Sequence, residues 1–211
     1  MQLIGMLDSP FVRRVAVALL KLQIPFQHKP ISLFRHIDAF SAINPLLKAP
    51  TLVTDESVVL VDSTTILEFI HWRYEQAPSL WPVDPKLRLT AYRAMSVALT
   101  VGEKAVQLHY ERALRPPERQ HEPWRQRVLS QLTAGLEALE REPPFKTWFA
   151  GGDFGHPDIA VATMVGFGRL MFPDLVSKER YPRLAAFCDR AEALPEFRAA
   201  PAMDGATVGM S

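Results

Sequence analysis

Two short stretches of the 211-residue sequence carry groups whose type and spacing could do chemistry. The first is Ala49-Pro50, at the mouth of the apolar run Thr51-Leu52-Val53. Proline cannot donate to a sheet ladder, so Pro50 suits the first residue of a strand or a cis bend, and a bend there leaves the Ala49 backbone open to a guest. The second is Asp62-Ser63, which follows the run Val58-Val59-Leu60-Val61 and opens a pattern with Ile66, Leu67 and Ile70 on one helical face. The N–H groups at a helix start attract an anion, while the Asp62 carboxylate beside them attracts a cation. One end of a small zwitterionic, peptide-like ligand fits such a place.

Other chemistries have little to stand on. The one cysteine, Cys188, excludes an internal disulfide and a Cys-x-x-Cys pair, and its neighbours Ala185, Phe187, Ala191 and Leu194 make it a core thiol. The six histidines show no metal-ligand spacing, so no metal site is expected. A net charge of +1 gives no reason to expect nucleic acid as a partner. No apolar run reaches the roughly 18 residues of a membrane span, and the N-terminus lacks a basic region followed by a long apolar one, so the expected address is cytoplasmic, away from membranes.

The elements that must position these residues follow from punctuation and periodicity. Residues 2–6 read as a strand. Ser9-Pro10 is a helix start, with Ser as N-cap and Pro at the first helical position. Phe11, Val15, Leu19 and Leu22 follow at helical spacing until Pro25, and residues 26–31 suit a second strand. Residues 32–43 read as a short helix or an irregular loop. A hairpin turning at 54–57 then feeds the helix after Ser63, which gives βαβ followed by ββα.

Residues 77–85 hold three prolines in nine and read as a linker. Beyond it the pattern is helical: about 87–112, with Ala91, Met95, Leu99 and Val106 inward; about 124–140, with Val128, Leu132, Leu136 and Leu139 inward; and helices from Pro157 and Pro182. At Gly155-His156-Pro157-Asp158, Gly155 is the expected N-cap, Asp158 the acceptor of its N–H, and Phe154 a staple onto Ile159. The expected domains are 1–76 (α/β), a linker 77–85, an all-α bundle 86–200, and a disordered tail 201–211.

Ser9-Pro10-Phe11-Val12-Arg13, Asn44-Pro45-Leu46 with Lys48-Ala49-Pro50-Thr51-Leu52, Asp62-Ser63, and Gly155-His156-Pro157-Asp158-Ile159-Ala160 together resemble the cytosolic glutathione transferases, in the serine-type form found in bacteria. The resemblance implies a thioredoxin-like N-terminal domain followed by an all-α helical domain. It implies glutathione as co-substrate, bound by Ser9, Phe11, Ala49, Pro50, Asp62 and Ser63. The backbone before the cis proline would pair with the cysteinyl part, and the acidic residue and Ser at the second helix start with the γ-glutamyl end. Ala49 stands where Val is more usual and Asp62 where Glu is common; a backbone contact survives the first change, and the second shortens the carboxylate by one methylene.

The family sets Tyr, Ser or Cys against the glutathione sulfur, and here the matching, catalytic position is Ser9. A hydroxyl at a helix start can favour the thiolate through one charge-assisted hydrogen bond and the helix dipole. Capping alone also explains Ser9, and the two roles are compatible, since a hydroxyl accepts from an N–H while donating its own proton. Arg13 and Arg14 read as surface or interdomain charges, and His109, Tyr110 and Arg112 as a solvated helix end. The resulting expectation is a transferase that joins glutathione to a small electrophilic, hydrophobic substrate, as a homodimer. The alternatives are a non-catalytic binding or scaffold protein of the same fold, or a glutathione-dependent peroxidase or isomerase.

Overall fold

The structure, a computed structural model, describes residues 1–142, 148, 149, 151–203 and 205. It divides into two compact units, Met1–Ser79 with Glu192–Ser211, and Leu80–Ala191. The expected tail from 201 falls largely outside the described residues.

The first unit is a four-stranded sheet with helices. β1 (Gln2–Ile4), β2 (Gln27–Lys29), β3 (Thr51–Val53) and β4 (Val59–Val61) lie in the order β2-β1-β3-β4. β1 and β2 are parallel, as a βαβ crossover requires, and the other pairs are antiparallel. Each strand is only three residues long, so the sheet depends on what covers it. Leu3, Ile4 and Leu52 supply its fully buried apolar side chains.

α1 (Pro10–Lys21) buries every residue from Val12 to Leu19. A helix buried nearly all round needs partners on several sides, and α1 packs against β1, α3 (Ser63–Arg73) and a short C-terminal helix, Pro195–Ala199. It ends in a Schellman motif: Gln23 takes the left-handed conformation at φ 55°, Gln23 N–H donates to Leu20 O, and Ile24 N–H to Leu19 O. α2 is the single turn Ile37–Ser41, the helical alternative for residues 32–43.

The second unit holds α4 (Pro85–Leu114), α5 (Glu122–Arg141), α6 (His156–Met171) and most of α7 (Pro182–Glu192); the Pro195–Ala199 helix of the first unit is α8. On α5 the expected inward residues Val128, Leu132, Leu136 and Leu139 are the buried ones. On α4 the inward stripe differs from expectation: Leu99 and Val106 are half-buried, and Ala91, Ala94, Met95, Ala98, Val101, Gly102, Ala105 and Leu108 face the interior. The reason is close approach to α6, since a Cβ on Gly102 would lie 2.1 Å from Met164 Sδ. Small residues, which carry a weak hydrophobic signal, mark that face.

At the start of α6, Asp158 is fully buried and accepts the Gly155 N–H at 3.0 Å, with a second bond from the Phe149 N–H. The stretch read as a linker is partly packed: Leu80 is buried and accepts the His156 N–H, and the Trp81 ring lies 4.3 Å from that of Tyr92. Cys188 is buried. His109 packs edge-on to Phe167, and Arg112 lies over the Phe172 ring and donates to Met171 O, so part of the supposedly solvated end of α4 is tied to α6. Among the described residues no helix is long and apolar enough to cross a membrane, and no group of His, Cys, Asp and Glu could hold a metal ion.

Candidate functional site

Six residues singled out from the sequence lie in the first unit, on the segments that lead into α1, β3 and α3. Ser9 is the N-cap of α1, half-buried, with its Oγ 3.5 Å from the Val12 N–H. That is beyond the 2.7–3.2 Å of a well-made bond, so the cap is loose and leaves the hydroxyl rotor largely unclaimed. Phe11 is half-buried in the same turn. The first turn itself carries no acidic side chain, and Asp8 is the acidic residue next to the cap.

Gly5 couples this turn to Ala49. Its φ is 134°, and a Cβ there would lie 2.6 Å from Val12 Cγ2 and 3.2 Å from Ala49 Cβ. The end of β1 is therefore wedged between the first turn of α1 and the residue before Pro50. Ala49–Pro50 is a cis peptide, and β3 begins its ladder one residue later, with Thr51 opposite Ile4. Asn44, 2% exposed, braces the loop from inside: its Nδ2 donates to Thr51 Oγ1 at 2.8 Å and its Oδ1 accepts the Leu46 N–H at 3.0 Å.

His28 steadies Gly5 from β2. Its Nε2 is 2.7 Å from the Gly5 carbonyl, and because a carbonyl only accepts, Nε2 carries the proton and the neutral ring suffices. Burial pushes the His28 pKa down, opposed by that hydrogen bond.

Asp62 is the N-cap of α3 and stands exposed at φ 72°, ψ 127°. This is a conformation that a side-chain-bearing residue adopts at a cost on the order of 1–3 kcal/mol. Its Oδ1 accepts the Thr64 N–H at 2.8 Å and its carbonyl the Ile66 N–H at 2.9 Å, which hold it there. Ser63 is buried directly behind it, 2% exposed.

What stands behind Ser63 was missed in the sequence. Arg14, read as a surface or interdomain charge, is 2% exposed, and its Nη1 donates to Ser63 Oγ at 2.8 Å and to Thr64 Oγ1 at 3.0 Å. Desolvation lowers its pKa to about 10, against the opposing pull of Asp62, so it stays charged at neutral pH. Long side chains on a helix lean toward its N-terminus. Arg14, on the second turn of α1, therefore brings the starts of α1 and α3 to one end of the unit. Arg13 is also buried rather than on the surface: it forms a bidentate pair with Glu192, donates to Ala200 O and lies over the Phe197 ring. No local signal marks either arginine as buried, because their partners lie 49 or more residues away.

Two helix starts whose first turns carry no acid, a cis-proline corner between them and a buried cation beneath can hold an extended zwitterion and favour the thiolate of a thiol placed at Ser9. Known proteins resemble the chain as a whole. The family models of the glutathione S-transferase N-terminal and C-terminal domains match residues 3–78 and 122–190. A maleylacetoacetate isomerase from Pseudomonas aeruginosa is 30% identical over 202 residues, covering 89% of each chain. A glutathione S-transferase from Methylobacterium radiotolerans, solved in complex with glutathione sulfonate, is 30% identical with a TM-score of 0.84, covering 93% of this chain and 92% of that one. One from Methylobacillus flagellatus, solved with glutathione bound, is 25% identical with a TM-score of 0.83, covering 94% and 98%. On domain order, matched span and fold alike, this chain belongs to the glutathione S-transferase family.

Proposed function

We propose that the first unit binds glutathione across Ala49, Pro50, Asp62 and Ser63, with Phe11 lining the turn, and that Ser9 donates a hydrogen bond to its sulfur. The thiolate then attacks an electrophilic carbon of a small hydrophobic substrate. A C–S bond forms; in substitution the broken bond's electron pair departs with the leaving group, and in addition the π pair of an activated double bond shifts onto the activating group, which then takes up a proton from solvent. The observation that carries this reading is the Ser9 hydroxyl, loosely capped at 3.5 Å on a helix start with no acid in its first turn. Cysteine is absent from that position, which favours transfer or addition over disulfide exchange. Glutathione complexes of two relatives and family membership support the ligand. A homodimer is part of the same reading and rests on family membership.

A second reading has one specific support, the relative named maleylacetoacetate isomerase. On the same site a thiolate could add to an activated double bond, allow rotation and depart, regenerating glutathione. One experiment treats both: titrate glutathione into the protein by calorimetry, then follow glutathione and product together with a chloro-nitroaromatic and with a cis-enone acid. Consumption of one glutathione per product supports transfer, and turnover without consumption supports isomerisation. Absence of binding contradicts both.

A further inference from the structure

We infer that Arg14 is a positioning residue that aims the Ser63 hydroxyl at the ligand carboxylate and makes the start of α3 selective for an anion; this rests on the glutathione reading above. The argument begins with donors and acceptors. Nη1 of Arg14 lies within 3.0 Å of both Ser63 Oγ and Thr64 Oγ1, and a guanidinium has donors only. Both hydroxyls must therefore accept from it, and neither can spend its own proton on it. The Ser63 O–H is turned away from the cation, as a donor with one lone pair already occupied.

Charge leads to the same place. Asp62 is the exposed charge at this helix start, and alone it would repel a carboxylate. A guanidinium 2% exposed, directly beneath Ser63, offsets that repulsion in a setting where solvent screens little. Asp62 is thereby left to meet an ammonium group while Ser63 and the helix N-terminus meet a carboxylate, so a zwitterion is bound in one orientation. Burying a cation is costly, and two hydroxyls and a nearby carboxylate offset that cost only in part, as the lowered pKa of Arg14 records. A plain core position would be filled more cheaply by Met or Leu.

The test uses the whole chain and two peptides, glutathione and its analogue 4-aminobutyryl-Cys-Gly, which lacks the γ-glutamyl α-carboxylate. Calorimetry on the native protein should show a preference for glutathione. Arg14→Met should cut that preference about tenfold, the size of one lost charge-assisted bond. Its affinity for the analogue should change by less than about twofold. In a Ser63→Ala background the same substitution should add little further loss, because partners in one hydrogen-bonded chain do not act additively. Arg14→Lys, which keeps the charge, should recover part of the preference, and it carries the test if Arg14→Met does not fold. Equal weakening of both peptides, or an undiminished effect of Arg14→Met without the Ser63 hydroxyl, would overturn the proposal. A native protein that binds neither peptide would instead sink the glutathione reading itself.

Discussion

At the scale of single residues, the site is built as much by what lies beneath it as by what faces a ligand. Ser9 and Asp62 are caps, and capping alone would account for their identity; their partners tell more. Ser9 is loosely held, and Asp62 is held at φ 72° in spite of the cost. His28 belongs to the same class of support, a neutral ring donating to the Gly5 carbonyl that leads toward Ser9. Its folded pKa lies below the unfolded value of about 6.5, so the unfolded chain takes up the proton first as pH falls. The stability His28 contributes is thus complete above about pH 6.5 and is lost on acidification below it. Melting temperatures measured at about pH 7.5 and about pH 5.5 should fall further for the native protein than for His28→Gln. Parallel falls in the two proteins would show that the His28 ring is not buried as described.

At the scale of elements, the short strands leave registration to close contacts around them. Gly5 is the tightest of these, wedged between Val12 of α1 and Ala49 before Pro50. A methyl group there would meet a branched, fully buried side chain in a backbone conformation that L-residues avoid. Gly5→Ala should cost roughly 2–3 kcal/mol in chemical denaturation and weaken glutathione binding with it; an unchanged denaturation midpoint would contradict this placement. Much of this level was legible in the sequence. Ser9-Pro10, Ala49-Pro50, Asp62-Ser63 and Gly155 through Asp158 mark element starts through local chemistry, and local chemistry is what a sequence displays. The α4 stripe runs beside Leu99 and Val106 rather than through them because five of its inward positions are Ala or Gly, which suit close helix packing and carry little hydrophobic signal.

At the scale of the molecule, what the sequence hid is long-range. α8 is a five-residue helix with Phe197 as its buried residue, too short to show a period, yet it packs on α1. Arg13 joins that segment through Glu192, Ala200 and Phe197, so residues near the end of the chain brace the helix that carries Ser9. Buried arginines contradict the usual placement of charge, and only the folded chain shows what justifies them. Family membership rests on matches over residues 3–78 and 122–190, whereas the proposed reaction rests on one hydroxyl. The most direct measurement is therefore a pH titration of the thiolate ultraviolet absorbance of bound glutathione, in the native protein and in Ser9→Ala. A free thiol titrates near about 8.5. The account predicts a bound value about 1–2 units lower in the native protein, a return most of the way toward the free value in Ser9→Ala, and a matching loss of turnover. The same bound value in both proteins would contradict it.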